Sequence, residues 1–463
     1  MVKRKTGGSV SELRAFMKKF PDTEVMDLLI ADLPGVLRGK RIRRKEFEKI
    51  FVDGFCMPGS VVLLDTLGDV IPGMPFGDDD GDPDINAFVV PGSLTAVPWA
   101  QKPSAQAFYR FHSRDGEPFF ADPRHVLERA ALPIRNMGLK IIMAAELEFY
   151  LLDANTDRPT ARVSRVPGIG RPQPGPQVYN PDDLWDIEAF LNDLNAVCEI
   201  QNIPSGTATS EFAPGQFEIN LHHVDDPVLA CDHAVALKRA IKAMARKHGF
   251  VACFMAKPFE EDSGSGMHVH MSLVDKQGKN YFSRGKEKMA APPFSARFRH
   301  AIGGLVKTMA ECTAIFAPNA NSYRRLRPEM FAPVEPNWGV NHRNVAIRVP
   351  LSDQKNLRFE HRVSGADANP YLVTAALLAG VHYGLKNRCD PGQMVEEGQQ
   401  IRTKLKIPNR WDAAIDRFAK SKILPEYFGS DYCRHYVANR RYESGKFHNV
   451  VSNVDFDWYM RAV

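Results

Sequence analysis

The segment LKIIMAAELEFYLLD, residues 139–153, is apolar almost throughout and reads as a buried strand. Such a strand fixes the plan of a fold, because other elements must cover it. Two carboxylates break the run. Glu146 and Glu148 stand two residues apart, so in an extended chain they leave the same face. Like charges on one buried face repel strongly unless a cation lies between them. The pair therefore marks a metal site, or else a strand edge where water reaches both groups.

A second strand carries a related signal. In RFEHRVS, residues 358–364, the side chains of Arg358, Glu360 and Arg362 fall on one face and stack opposite charges along a stripe. Buried ions are costly unless paired or bound to something. The stripe is either a site for a doubly charged ligand or a solvated edge strand laced by salt bridges.

At 463 residues, 44% of them apolar, the chain can bury large cores and divides into two or three domains. A formal charge of +5 with 25% charged residues argues for neither nucleic acid nor a membrane surface as a partner. Seven cysteines, odd in number and never in a CxxC pair, indicate no disulfide framework and no zinc site, and fit a reducing cytoplasm. The basic start MVKRKTGGS runs into the polar SELRAFMKKF, and no apolar run approaches about 20 residues, so neither a secretory signal nor a membrane span is expected.

Along the chain, the spacing of Leu13, Phe16, Met17 and Phe20 predicts a helix ending at Pro21, and EVMDLLIADLPGVLRGKRI then reads as a hairpin. The run RGKRIRRK holds six basic residues in eight, and its alternation around Ile42 favours a solvated strand over a nucleic-acid patch. PGMPFGDDDGDPD is a loop whose aspartates at 78, 79, 80, 82 and 84 are either plain solvated surface or an attractor for a polycation. Asp122 as N-cap and Pro123 at the first helical position open a helix and place a domain boundary near residue 120. Residues 1–120 then form a small α+β unit and residues 121–463 an α+β catalytic body. That body includes a Pro/Gly-rich loop, RPTARVSRVPGIGRPQPGPQVYN, and a helix of small residues, NPYLVTAALLAGVHYGL.

Further candidates are hard-oxygen ligands and basic groups. Glu211 and Glu218 flank a Pro-Gly turn that brings two carboxylates toward one point. The glycine-rich SGSGMHVHMSL runs into a strand with His268 and His270 on one face. Either histidine can join carboxylates on Mg²⁺ or Mn²⁺, or one of them is structural. Arg324, Arg325, Arg343, Arg348, Lys355, Arg358 and Arg362 supply cations suited to phosphate and carboxylate oxygens. Carboxylates gathering two or three divalent ions, with arginines facing them, meet the needs of phosphoryl transfer from ATP to an acidic group. Neither GxxxxGK[ST] nor GxGxxG occurs, which argues against a P-loop, a Rossmann site or a kinase fold.

Taken in order, AELEFY, SEFAPGQFEINL, SGSGMHVHMSL, NSYRRL, NHRNVAIRVP and RFEHRVSGADANPYLVTAALLAG resemble the class I glutamine synthetase family from about residue 20 onward. The resemblance implies an α+β fold with an N-terminal β-grasp domain and a catalytic domain on a curved antiparallel sheet. It also implies a homo-dodecamer of two hexameric rings with shared active sites. By motif position it makes Glu148, Glu211 and Glu218 ligands of one metal, and Glu146, His268 and Glu360 ligands of a second. It gives Arg362 and the backbone at Gly264 to glutamate, Arg343 and Arg325 to the transferred phosphoryl group, and Arg348, Lys355, Arg358, His270 and Ser272 to the nucleotide. The implied reaction phosphorylates the γ-carboxylate of glutamate, and an amine then attacks the acyl phosphate.

The departures from the family concern the amine. Where glutamine synthetases carry Y-E-A-P, whose glutamate deprotonates ammonium, this chain has Met330-Phe331-Ala332-Pro333. Where they carry F-D-G-S-S, whose aspartate helps bind ammonium, it has Met57-Pro58-Gly59-Ser60. Losing two anions costs an ammonium site on the order of 1.5 to 3 kcal/mol for each charged hydrogen bond. A larger primary amine or polyamine, held by Phe331 and Trp338, fits better. The resemblance is nearest to γ-glutamylpolyamine synthetases and related γ-glutamylamide ligases. A true glutamine synthetase and a non-catalytic assembly protein are the competing readings, the latter disfavoured because the metal and phosphate ligands are intact. Ser263 stands where the family usually has the asparagine beside glutamate, and CDPGQMVEEGQQ has no tyrosine of the kind the adenylylation loop carries.

Overall fold

A computed structural model describes residues 8–154, 160–165, 170–173, 175, 178–284, 294–328, 330–399 and 405–463. The Pro/Gly-rich loop after residue 157 lies partly outside them. The predicted first helix is Val10–Lys19, and the Ser9 hydroxyl accepts the Ser11 N–H at its start.

The chain forms two sheets from separate stretches. The first contains β1 (Val25–Ala31), β2 (Leu37–Arg43), β3 (Phe55–Pro58), β4 (Asp84–Val89), β5 (Thr95–Ala96) and β6 (Ser104–His112). Its order is β2-β1-β6-β4-β3 with β5 on β6; β1 and β6 run parallel and the other pairs antiparallel, a mixed sheet of β-grasp type. In β2 only Ile42 is buried while its basic neighbours are exposed, so this stretch is a solvated strand.

The second sheet contains β7 (Lys140–Asp153), β8 (Thr160–Ala161), β9 (Ser205–Ser210), β10 (Gln216–Leu221), β11 (Phe250–Cys253), β12 (Met267–Val274), β13 (Trp338–Val340), β14 (Ile347–Val349) and β15 (Phe359–His361). Its order is β13-β14-β15-β12-β7-β10-β9, and only β13 and β14 pair in parallel. One face is apolar: Ala145, Leu147 and Phe149 of β7, Val269 and Met271 of β12, and Ile219 of β10 are all buried. Helices Pro123–Asn136 and Pro227–Lys247 pack on β7. The Asp122 carboxylate caps the first of these through the Arg124 N–H and also accepts the Phe111 N–H of β6, which ties the second body to the first.

The helix of small residues is Pro370–Asn387, and it packs on helix Ala296–Phe316. Gly304 and Gly384 approach so closely that a side chain on either would collide with the backbone of the other helix. The aspartate-rich loop is held by its own acids. Asp79 accepts from the Gly73 N–H, Asp80 from those of Phe76 and Gly77, and Asp82 from the Ser60 amide and hydroxyl. Asp78 and Asp84 accept no side-chain hydrogen bond from a described residue, and Asp78, Asp79, Asp80 and Asp84 are all exposed. Among the described residues no helix is long and apolar enough to cross a membrane.

Candidate active site

The opposite face of the second sheet carries the charges, and strand register decides which groups meet. Glu218 of β10 lies directly across from Glu148 of β7, and His268 of β12 from Glu146. Glu360 of β15 lies between His270 of β12 and Arg348 of β14. Period-2 alternation within each strand keeps all of them on one side.

Glu360 is 0% exposed, and each of its oxygens takes an arginine. Arg348 donates to Oε2 at 2.7 Å and Arg362 donates to Oε1. Burial alone would raise this carboxyl, but His268, Arg362 and His270 hold it below the usual range. The stripe read in RFEHRVS is thus buried ion pairing and not a solvated edge. Arg348 also donates to the Asn341 Oδ1 at 3.0 Å, and the buried Nε atoms of Arg348 and Arg362 have no partner among the described residues. Donors left over in this way are available to a ligand.

Glu146 receives both histidines, His268 Nδ1 at 3.2 Å and His270 Nε2 at 2.8 Å. Against its burial, these bonds hold Glu146 well below the usual carboxylate range. The other acids are crowded. Burial, then the charges of Glu148 and Glu146, push Glu211 up to about 7; burial, then Glu146, Glu148 and Glu211, push Glu218 up to about 10. Carboxylates driven to hold protons by one another are a donor set for divalent cations. Ligand atoms of Glu146, His270 and Glu360 lie within 4.8 Å of one another, as do those of Glu146, Glu218 and His268. Glu146 is common to both groups, and His270 stands in one of them beside the expected residues. Glu148 accepts the Gly266 N–H through one oxygen, Oε2, at 2.6 Å.

The arginines expected at the phosphoryl group occupy unlike places. Arg325 is 3% exposed and donates to the carbonyls of Val363, at 2.7 Å, and Arg362. It threads beneath the glycine-rich loop, where a side chain on Gly264 would meet its Cγ at 2.7 Å and one on Gly266 its Nη2 at 2.7 Å. Arg343 lies exposed on the loop before β14, and its charge offsets part of the rise at Glu211. Lys355 is exposed, and Arg358 donates to His270 Nδ1 at 3.3 Å. The Ser272 hydroxyl donates to the Leu357 carbonyl at 2.8 Å, so it fixes the loop that carries Lys355 and Arg358.

Some residues of the site carry no obvious motif. Gln216 donates to the Gly264 carbonyl at 3.1 Å and accepts from the Ser263 hydroxyl, and Tyr150 donates to the Ser263 carbonyl at 2.6 Å. Together they pin the glycine-rich loop; Gln216 shares a strand face with Glu218, a period-2 signal present in the sequence. Phe331 is exposed and touches Phe212, which the sequence does not single out. Trp338, expected beside the amine, lies elsewhere. At 1% exposed, with its indole N–H donating to the Gly392 carbonyl at 3.2 Å, it belongs to the core and offers no surface to an amine.

A two-sheet α+β fold with candidate divalent-cation ligands and arginines on one sheet face is the architecture of an enzyme suited to anionic substrates. A family model described as the glutamine synthetase catalytic domain matches residues 120–459. The chain belongs to the glutamine synthetase family. It is 38% identical over 461 residues to γ-glutamylputrescine synthetase PuuA of Escherichia coli K12, covering 99% of this chain and 96% of that protein. It is 31% identical over 467 residues to a glutamate–isopropylamine ligase of a Pseudomonas species, covering 98% of both. Glutamine synthetase of Pyrococcus abyssi is 31% identical, covering 94% of this chain and 93% of that one. The ligand-free structure of GmaS superposes with a TM-score of 0.83 at 24% identity, over 98% of this chain and all of that one, which shows the shared fold.

Proposed function

We propose that the protein is an ATP-dependent glutamate–amine ligase that forms a γ-glutamyl amide from glutamate and a primary amine or polyamine. The observation that carries this reading is the register of β10, β7, β12, β15 and β14, which sets Glu218, Glu148, Glu146, His268, His270, Glu360 and Arg348 side by side. The relatives named for putrescine and isopropylamine support an amine acceptor.

In this reading Glu146, Glu148, Glu211, Glu218, His268 and Glu360, with His270 beside them, would hold two to three Mg²⁺ or Mn²⁺ ions. Such ions, when bound, neutralise the phosphate oxygens of ATP. Arg362 orients the α-carboxylate of glutamate with the Gly264 backbone, and Arg343 meets the γ-phosphoryl group as it passes to the γ-carboxylate. Arg325 stands behind the glycine-rich loop and holds its shape. Arg348, Lys355 and Arg358 engage the nucleotide, the last two on the loop that Ser272 fixes. Acyl phosphate formation makes the carbonyl electrophilic enough for an amine, which gives up a proton as the amide forms and phosphate leaves. Phe331 lines the amine's approach where the family's ammonium-binding acid is missing.

We further assign residues 1–120 and 121–463 to two domains and the working form to a dodecamer of two hexameric rings. Assembly is supported by the apolar Val450, Val451, Phe456, Trp458 and Met460, all exposed near the C-terminus. A reducing cytoplasm suits seven cysteines of which none is paired. The test is glutamate- and Mg²⁺-dependent phosphate release from ATP with ammonium, methylamine, ethanolamine, putrescine, cadaverine, spermidine and spermine in turn. One or more organic amines are expected to exceed ammonium; ammonium as best acceptor, or silence with all, overturns the proposal.

A further inference from the structure

Two aromatic rings stand in the open beside the carboxylate cluster. Phe212, 41% exposed, directly follows Glu211, and Phe331, 59% exposed, has its ring centroid 4.6 Å away at a tilt of 48°. Phe331 has φ of 57°, a left-handed conformation that bulky side chains rarely adopt. Backbone strain of this kind persists where surrounding structure or function holds it. The core is not what Phe331 reaches, since its ring lies on the outside against another exposed ring. Phe212 is the chain neighbour of Glu211, whose carboxyl feels the charges of Glu148, Glu146 and Arg343, so the exposed ring pair stands one residue from the acids of the site.

We propose that Phe212 and Phe331 form an aromatic clamp that selects the acceptor amine by its hydrocarbon chain. The inference rests on the ligase reading and adds to it the recognised element, an aliphatic chain of several carbons, and a second residue that reads it. Tilted rings present two faces to the methylenes and remove them from water. The same faces attract the ammonium end while the chain is seated. Ammonium has no chain to grip and gains nothing from the clamp.

The experiment measures kcat/KM of the full-length protein for n-alkylamines from methylamine to hexylamine and for the matching α,ω-diamines. In the wild type kcat/KM is expected to rise about three- to fourfold per methylene until the slot is filled. Phe212→Ala and Phe331→Ala are each expected to flatten that rise, Phe212→Leu to keep most of it, and the double variant to flatten it no further than the stronger single. KM for glutamate and ATP stays within about twofold, and thermal unfolding reports whether each variant is folded. A purely structural role would change stability or all amines alike and leave the chain-length dependence intact. A wild-type rate that ignores chain length, or a dependence that survives Phe212→Ala, overturns the clamp while the ligase stands. Absence of turnover with every amine overturns the ligase reading itself.

Discussion

The two halves of the site are made of different material. The cluster of carboxylates and histidines rests on strands, where Glu218 faces Glu148, His268 faces Glu146, and Glu360 is held by Arg348 and Arg362. The rim of the site rests on loops, where Arg343, Phe212 and Phe331 are exposed, and Arg343 has no hydrogen bond or ion pair to any described residue. Strand-borne groups are positioned before any ligand arrives. Loop-borne groups are free to complete their contacts only when a ligand is present. The loop-borne groups divide again by proposed role, Arg343 with the phosphoryl transfer and the two rings with the amine, the part of the reaction that varies.

Removing Glu360 tests the strand-borne half most severely. Glu360→Ala leaves Arg348 and Arg362 without their shared anion in a largely buried place. We expect a loss of about 3–5 kcal/mol in chemical denaturation and no measurable phosphate release. Arg343→Ala probes the other half. It should leave stability within about 0.5 kcal/mol of wild type while lowering turnover about a hundredfold. Equal destabilisation by the two substitutions would erase the contrast between the halves.

The crowded acids supply a pH test of intermediate size. Folding raises Glu211 to about 7 and Glu218 to about 10 from an ordinary 4.5. The folded protein then binds more protons than the unfolded chain above pH about 4.5. The resulting stability is present at low pH and is lost as pH rises through 7 for Glu211 and onward toward 10 for Glu218. In EDTA the melting temperature should fall by a few °C between pH 5.5 and 8.5, and Mg²⁺ should flatten the profile by taking the place of the protons. Glu218→Gln should flatten the metal-free profile as well. A metal-free profile that is level or rises with pH would show that these carboxylates are not crowded.

Sequence legibility follows the same division. Period-2 alternation in AELEFY, MHVHMS and RFEHRV places Glu146, Glu148, His268, His270 and Glu360 on common faces, because a face is a local property of a strand. Which residue stands opposite which is not local. That is why His270 emerges beside Glu146 and Glu360 only when β12 is seen between β7 and β15. Arg325 shows the limit for loops and helix ends: its basic type suits a phosphoryl group, yet its path under Gly264 and Gly266 spends it on main-chain carbonyls. Trp338 shows it for aromatics, since composition cannot tell a ring that lines a site from one that fills the core. Phe212 stands in a turn, where side-chain direction depends on the whole loop and no periodicity reports it.

The smallest expected effect concerns the loop-borne half alone. Phe331→Glu puts a carboxylate at the position that the motif resemblance matches to the ammonium-binding acid of glutamine synthetases. A charged hydrogen bond regained there should raise kcat/KM for ammonium about tenfold, measured by phosphate release. The same change removes one jaw of the aromatic pair, so kcat/KM for longer amines should fall at the same time. Stability should hardly respond, since the ring is exposed and the φ of 57° is as foreign to glutamate as to phenylalanine. Opposite shifts for ammonium and long amines would place residue 331 at the acceptor itself, whereas a parallel fall for both would make it a structural residue of the loop and return the choice of amine to other parts of the site.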